Sequence, residues 1–423
     1  MSNNVAPALP SLQVTTTLIY RSFRGPREWW RDATVYDIYA AQLDDATLDN
    51  TFACISAAAR LGVSAVSFRP SHLDPRTPAD AALARRLVDK AHAHGLKAVV
   101  QVSGADTPGP RTAAEGPIPR PIRDKEVEGL ELVARAEAFL ACGADGIDLG
   151  FIVEPELTGQ DQEAELLHDV FVALQQLIAA RETEVVLGAS AASRFPAALA
   201  RHLERDRVAH LRDDRLLLAP WSPQGVAEAI TADIRERAQR SDCLAWRPNS
   251  PFPYDHFGPL GADSWFATTA DPTQRGRALN LLVLLLPGAV YLRQGDEVGL
   301  ENTKRPASAH ALVDQLAHLL LEQRPDPESA YSRLRAALRL RAERRLGTGA
   351  LALVEGGQWQ TADTLALVNR DVLGVLNFGT SELFVPSQAQ VLAASGPVDA
   401  DTQGIVVPPE TTIWLDVADD HDL

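Results

Sequence analysis

Residues 286–300 read Leu-Pro-Gly-Ala-Val-Tyr-Leu-Arg-Gln-Gly-Asp-Glu-Val-Gly-Leu. A helix expected near 272–286 stops at a Pro-Gly step, and a short apolar strand, Ala289–Leu292, follows it. The same unit recurs along the chain. Strands are expected at Val35–Tyr39, Ala65–Phe68, Lys97–Val102, Gly146–Val153, Glu184–Leu187, Arg215–Leu218 and Cys243–Trp246. Helices are expected near 49–61, 79–94, 124–141, 162–181, 223–240 and 327–345. Eight short apolar strands alternating with amphipathic helices predict a parallel sheet, and eight βα units predict its closure into a (β/α)8 TIM barrel.

After Arg345 the texture changes. Residues 350–416 alternate over short distances, with turn residues Gly356, Gly357, Asn377, Pro386 and Pro408. The expected organisation is an N-terminal tail at 1–28, a barrel at 29–346 and a β-sandwich-like antiparallel domain at 347–423. Within the tail, Val14–Tyr20 has strand propensity.

The 423 residues carry 40 basic and 56 acidic side chains, a formal charge of −16. Nucleic acid and anionic membrane surfaces need a basic footprint, so neither is an expected partner. No run reaches the ~18 apolar residues of a membrane span. No basic region followed by an apolar core opens the chain, and cytoplasmic residence is the default expectation. Cys54, Cys142 and Cys243 lie far apart in apolar segments and read as buried small hydrophobes. With no metal-ligand spacing, phosphate-cradling loop or dinucleotide fingerprint, no metal or cofactor is expected.

Five ordered segments resemble the α-amylase family, glycoside hydrolase family 13, in its α-glucosidase-like branch. Trp29–Tyr39 is similar to the family's opening W-W-R-D-A-x-x-Y-x-I-Y, and Leu61–Val66 to its L-G-V-x-A-I strand. Gly95–Val100 is similar to the approach to strand three, and Gly143–Phe151 to G-x-D-G-F-R-x-D on strand four. Leu286–Leu300 is similar to L-P-G-x-P-x-L-Y-Q-G-E-E-L-G-L around strand eight, and Asp326–Ser329 also fits this branch. The resemblance implies a TIM barrel, and retaining α-glucoside hydrolysis or transglycosylation as the ancestral activity.

Retaining chemistry needs a nucleophile and an acid/base carboxyl about 5–5.5 Å apart. On the resemblance, Gly150 occupies the nucleophile position, Asp148 the arginine position and Ala189 the acid/base position. Leu244–Pro251 contains no His-Asp pair where the family ends in N-H-D, which leaves Ser250 at the third acid. On strand three, Gln101, Ala105 and Asp106 replace aspartate, asparagine and histidine. Asp148 lies two residues before Gly150, on the same face but about 6–7 Å deeper, too far to attack the same carbon. The tyrosine-bearing loop after strand two is missing between Pro70 and Ala79. The subdomain after strand three shrinks to the Pro- and Gly-rich Gly104–Arg123.

The first expectation is therefore a catalytically inactive family member, a pseudoenzyme with a structural, regulatory or partner-binding role. Its partner would be an active family homologue or a second copy of the chain. A second is non-hydrolytic binding of an α-glucoside or oligosaccharide, with Trp246, Phe252 and Tyr254 stacking on a pyranose. A third is a glycosidase with relocated acids drawn from Asp148, Glu154 and Glu156. Gln101, Asp106, Asp148, Glu154, Trp246, Asn249 and Arg293 are the side chains expected in any residual cleft.

Other groups carry weaker signals. Asp213 and Asp214, placed just before strand six, are expected on the surface, and Asp255-His256 in a surface loop. Asp296-Glu297 is expected to be structural. His72, His92, His94 and His168 show no ligand spacing. The arginines of helix 327–345 (Arg333, Arg335, Arg339, Arg341, Arg344, Arg345) are expected on a solvated or inter-domain face.

Overall fold

A computed structural model describes residues 14–22, 24–25, 28–38, 45–70, 73–102, 126–151, 161–193, 199–200, 203, 208–238, 243–249, 261–300, 309–387 and 389–417. Strand β1 (Thr15–Tyr20) precedes β2 (Thr34–Ile38), α1 (Asp45–Leu61), β3 (Ala65–Phe68), α2 (Pro78–Ala93) and β4 (Lys97–Gln101). There follow α3 (Glu126–Ala141), β5 (Gly146–Phe151), α4 (Asp161–Ala179), β6 (Val186–Ser190) and β7 (His210–Arg212). Next are α5 (Arg215–Leu218), α6 (Pro223–Ala238), β8 (Ala245–Trp246), α7 (Thr273–Leu285), β9 (Ala289–Arg293), α8 (Ala309–Gln323) and α9 (Ala330–Glu343). The chain ends in β10 (Leu351–Glu355), β11 (Thr364–Asn369), β12 (Val372–Asn377), β13 (Leu383–Val385), β14 (Val391–Ala394), β15 (Asp399–Ala400), β16 (Ile405–Val407) and β17 (Thr411–Asp416).

Eight parallel strands in the order β7-β6-β5-β4-β3-β2-β9-β8 nearly close into a barrel, with β7 and β8 side by side at the seam. Strand alternation sends every second residue inward. The inward set near the strand starts is small: Ala33, Val35, Ala65, Ala245 and Ala289 pack around Tyr291. The outward set joins the helices in the main core, where Ile147, Leu149, Leu187, Leu211 and Leu292 are almost wholly buried. Gly288, in the Pro-Gly step, has φ +96°, and a Cβ there would lie 2.5 Å from the Leu244 backbone oxygen. Only glycine fits that backbone conformation and that close approach.

The sixth barrel strand differs from expectation. It is His210–Arg212; Arg215–Leu218 is instead one turn of helix. A four-residue apolar run does not distinguish the two. Asp213 and Asp214 settle it here: the Asp213 carboxylate accepts the Arg215 amide at 3.0 Å, and the Asp214 carbonyl accepts the Leu218 amide at 2.9 Å. Helix α8 was not anticipated. The segment expected as a tail supplies β1, whose β-branched Thr-Thr-Thr-Leu-Ile run pairs antiparallel with β10. Residues 104–123, expected as the shrunken subdomain, lie outside the described residues, as do His72, Phe252, Tyr254, Asp255, His256 and Glu156. No described helix is long and apolar enough to cross a membrane.

The C-terminal part contains a six-stranded antiparallel sheet, β1-β10-β11-β12-β17-β14, and a three-stranded one, β13-β16-β15. Val354, Leu373 and Val375 pack against Leu383, Val385, Ile405 and Val407 between the two sheets. The other face of the larger sheet lies on α7, which explains why α7 is buried from Ala278 to Leu285. Polar ties cross this contact. Thr412 Oγ1 donates to the Ala278 carbonyl at 2.8 Å, and Asn369 Nδ2 to the carbonyls of Leu285 at 2.6 Å and Leu346 at 2.9 Å.

Arg341 is buried among the same groups, and among the described residues no carboxylate is bonded to it. Its guanidinium donates to the carbonyls of Leu284 (2.6 Å), Leu286 (2.7 Å) and Gly288. Burial pulls its pKa down to about 10. These carbonyls end α7 and enter β9, so Arg341 fixes the approach to that barrel strand. Arg341→Leu would strand the acceptors and is expected to reduce stability by roughly 2–5 kcal/mol in urea unfolding, at 1–3 kcal/mol per lost partner. A loss below about 1 kcal/mol would contradict this role.

Candidate functional site

In TIM barrels chemistry belongs at the C-terminal ends of the strands. Here that mouth is lined by a charge network. Asp148 on β5 meets Arg212 on β7 at 2.6 Å, and each side chain is only 2% exposed. The Asp148 carboxylate also accepts the Gly150 amide at 2.7 Å. Arg212 Nε donates to Ser190 Oγ at 3.1 Å, and its guanidinium lies 4.2 Å above the Tyr291 ring. Arg247 pairs with Asp37, also near Tyr291. Arg69 donates to Gln101 Oε1 at 2.8 Å, and Arg293 pairs with Asp296, which also accepts from Asn249 at 3.0 Å.

Burial by itself would raise the Asp148 pKa, but the Arg212 guanidinium and the Gly150 amide outweigh it and hold the carboxyl below its usual range. Burial likewise opposes the charge on Arg212, and Asp148 reverses the sign. Below the pair, His210 Nε2 lies 2.8 Å from the Trp30 carbonyl, and Nδ1 lies 2.7 Å from the Tyr291 hydroxyl. A carbonyl only accepts, so Nε2 carries the proton and Nδ1 accepts from tyrosine. Burial lowers the His210 pKa to about 4, so the ring is neutral near pH 7, and burial raises that of Tyr291.

The expected site residues divide. Gln101, Asp148, Asn249 and Arg293 are in or beside the network and are all buried. Asp106, Glu154 and Ser250 lie outside the described residues. Trp246, expected in the cleft, is not there. Alternation turns it outward into the core, 2% exposed, and its indole N–H donates to the Pro287 carbonyl at 2.6 Å. Gly150 sits at a bulge between the Asp148–Gly188 and Phe151–Ser190 pairs, with φ +65°. Ala189, expected at the acid/base position, is buried in the barrel-to-helix core. The inward residues of β6 are Gly188, whose Cβ would lie 2.8 Å from Asp148, and Ser190.

Asp213 and Asp214 are buried after β7, not exposed before a strand. Asp214 accepts the Ser193 amide at 2.7 Å, and burial raises its pKa. Arg237 bonds Asp233 at 2.6 Å and lies 3.8 Å from Asp213; burial and Asp213 push Asp233 up to about 8. Glu297 accepts from Tyr36 at 2.6 Å and from the Gly295 amide at 2.8 Å, which keeps it structural. Burial, with Glu297 nearby, pushes the Cys54 thiol up to about 11. Asp145, the acid of the Gly-x-Asp-Gly stretch, accepts from His92, Lys97 and the Ala98 amide, at the strand starts. Of the α9 arginines, Arg341 is buried on the carbonyls of the α7–β9 step, and Arg344 pairs with Asp371 and Asp416.

Each described carboxylate at the mouth (Asp37, Asp148, Asp214, Asp296, Glu297) accepts from an arginine, a tyrosine or a backbone amide. Among the described residues no cluster of His, Cys, Asp or Glu is arranged to hold a metal. Arg212, His210 and Tyr291 were missed as site residues. The alternation Val208-Ala209-His210-Leu211-Arg212 was the available signal, obscured by the apolar run after it.

No protein-family model and no curated protein sequence matches this chain. Its fold does match solved structures. Bacillus licheniformis trehalose-6-phosphate hydrolase (TreA) superposes with a TM-score of 0.61 at 13% identity, over 92% of this chain and 100% of that one. A "Family GH13_31 enzyme" gives 0.63 at 13%, over 92% and 99%. Eubacterium rectale Amy13B gives 0.62 at 11%, over 94% and 96%. The chain therefore has the fold of glycoside hydrolase family 13 enzymes; at these identities the likeness concerns fold alone.

Two outcomes follow from the network. Asp148→Leu or Arg212→Met alone is expected to lose roughly 3–5 kcal/mol of stability, because one buried charge remains unpaired, whereas the two together lose less than the sum. A double variant as unstable as the sum of the singles would contradict the pairing. Because the folded Asp148 pKa is lowered, the pair's contribution is complete above the ordinary carboxylate range and fades only as pH falls through that lowered value. His210 acts at higher pH. Its folded value, about 4, lies below the ordinary 6.5, so protons favour the unfolded chain and stability falls as pH drops from 6.5 towards 4. His210→Gln should flatten that slope in urea unfolding at a series of pH values; an unchanged slope would remove His210 from the account.

Proposed function

We propose that this chain is an α-amylase-family protein that does not hydrolyse glycosides and serves as a structural, regulatory or partner-binding component. One observation carries the reading: the buried Asp148–Arg212 pair occupies the part of the barrel where the family resemblance places the strand-four arginine and nucleophile. A carboxylate nucleophile must be exposed to the anomeric carbon, and a second carboxyl must lie about 5–5.5 Å away. Asp148 is instead buried, 2% exposed, against Arg212 and the Gly150 amide. Gly150 and Ser190 bring no carboxyl. The fold and the sequence resemblance support the family; the network supports the loss of its chemistry.

The partner would be an active α-glucoside enzyme of the same fold or a second copy of this chain. The scaffold's retention without the site makes its surface the functional element. Incubation with maltose, trehalose, sucrose and maltotriose is expected to release no glucose above a heat-treated control. Turnover abolished by substituting Glu154, Glu156 or Asp148 would overturn this reading in favour of relocated acids.

A further inference from the structure

At the end of the barrel away from the mouth, an open cavity of about 410 Å³ lies where β1, the starts of β2, β8 and β9, and the loop after α9 converge. Tyr20 and Trp29 form part of its wall, with Arg345, Thr348 and Arg370. Three non-glycine residues have positive φ among the described residues, and two of them line this one cavity: Arg345 at 53° and Arg370 at 56°. These are positions where glycine or asparagine would relieve the backbone. Strain of this kind clusters at functional sites and persists where the surrounding structure enforces it, here the cap after α9 and the two-residue β11–β12 turn.

The two arginines lie together. Arg370 Nε donates to the Arg345 carbonyl at 2.9 Å, and its terminal nitrogen to Thr348 Oγ1 at 3.1 Å. Among the described residues the Arg345 guanidinium meets no carboxylate. Of the acids on the wall, Glu28 pairs with Arg31, and Asp32 flanks Gly347 and acts through space on the buried Arg341. The wall thus carries Arg31, Arg345 and Arg370 against Glu28 and Asp32, one positive charge in excess, with a hydroxyl and two aromatic rings, in a chain whose net charge is −16.

We infer that this cavity binds a small phosphate ester with a sugar-sized body, the phosphate on Arg345 and Arg370 and the body against Trp29 and Tyr20. Guanidinium groups match phosphate oxygens in shape and charge. An aromatic wall suits the apolar face of a ring, and the volume suits one hexose phosphate. The site is separate from the mouth, so it stands or falls independently of the proposed lack of hydrolysis.

Calorimetric titration of the full chain with glucose 6-phosphate, glucose and inorganic phosphate tests it. Glucose 6-phosphate is expected to bind more tightly than either of the others, and Arg345→Gly and Arg370→Gly each to weaken it roughly tenfold. Glycine fits positive φ, so Arg345→Gly is also expected to leave Tm unchanged or higher. Absence of binding, equal binding of glucose, or unaltered affinity in both variants would overturn the site. A fall in Tm for Arg345→Gly would assign that arginine to holding the turn and would equally overturn it.

Discussion

The Asp148–Arg212 ion pair is the interaction on which the interior of this barrel depends. Two charges at 2% exposure are stable together only because each satisfies the other. Their neighbours are arranged around that need. Gly188 has no side chain where a Cβ would crowd Asp148, Ser190 accepts from Arg212, and Tyr291 offers its ring face. The alanines at the strand starts make room for Tyr291 and, beneath it, neutral His210. Removing either charge would leave the other buried and unpaired. The pairing keeps Asp148, the described acid on β5, out of contact with solvent.

The second constraint is the placement of α7 between the barrel and the large antiparallel sheet. A helix buried on nearly all sides must be apolar throughout, and Ala278–Leu285 is, apart from Asn280. Its terminal carbonyls still need donors, which Arg341 and Asn369 bring from α9 and β11. The same contacts lead directly into β9 and so to Tyr291 and Arg293. The C-terminal sheet is thereby coupled to the barrel interior through backbone hydrogen bonds as well as apolar contact.

Much of this was legible in the sequence. The strand–helix alternation, the Pro-Gly step before β9 and the turn-rich C-terminal region carry strong local periodicity, and the fold followed from them. One short element and one side-chain direction were not legible. Arg215–Leu218 has the composition of a strand, and only the Asp213 and Asp214 bonds make it a helical turn. That misplacement hid Arg212, which then could not be matched to Asp148. Trp246 was drawn to the cleft by its chemistry, whereas the strand's alternation buries it. Ion pairing between strands far apart in sequence has no local signature, so the network needed the barrel to be assembled first.

Trapping is the most direct measurement of the central claim. The protein would be incubated with an activated fluorinated α-glucoside that accumulates a glycosyl-enzyme ester, and its intact mass recorded. The account predicts an unchanged mass under conditions that fully label an active enzyme of this fold. A stoichiometric adduct, mapped to any carboxylate of this chain, would contradict it.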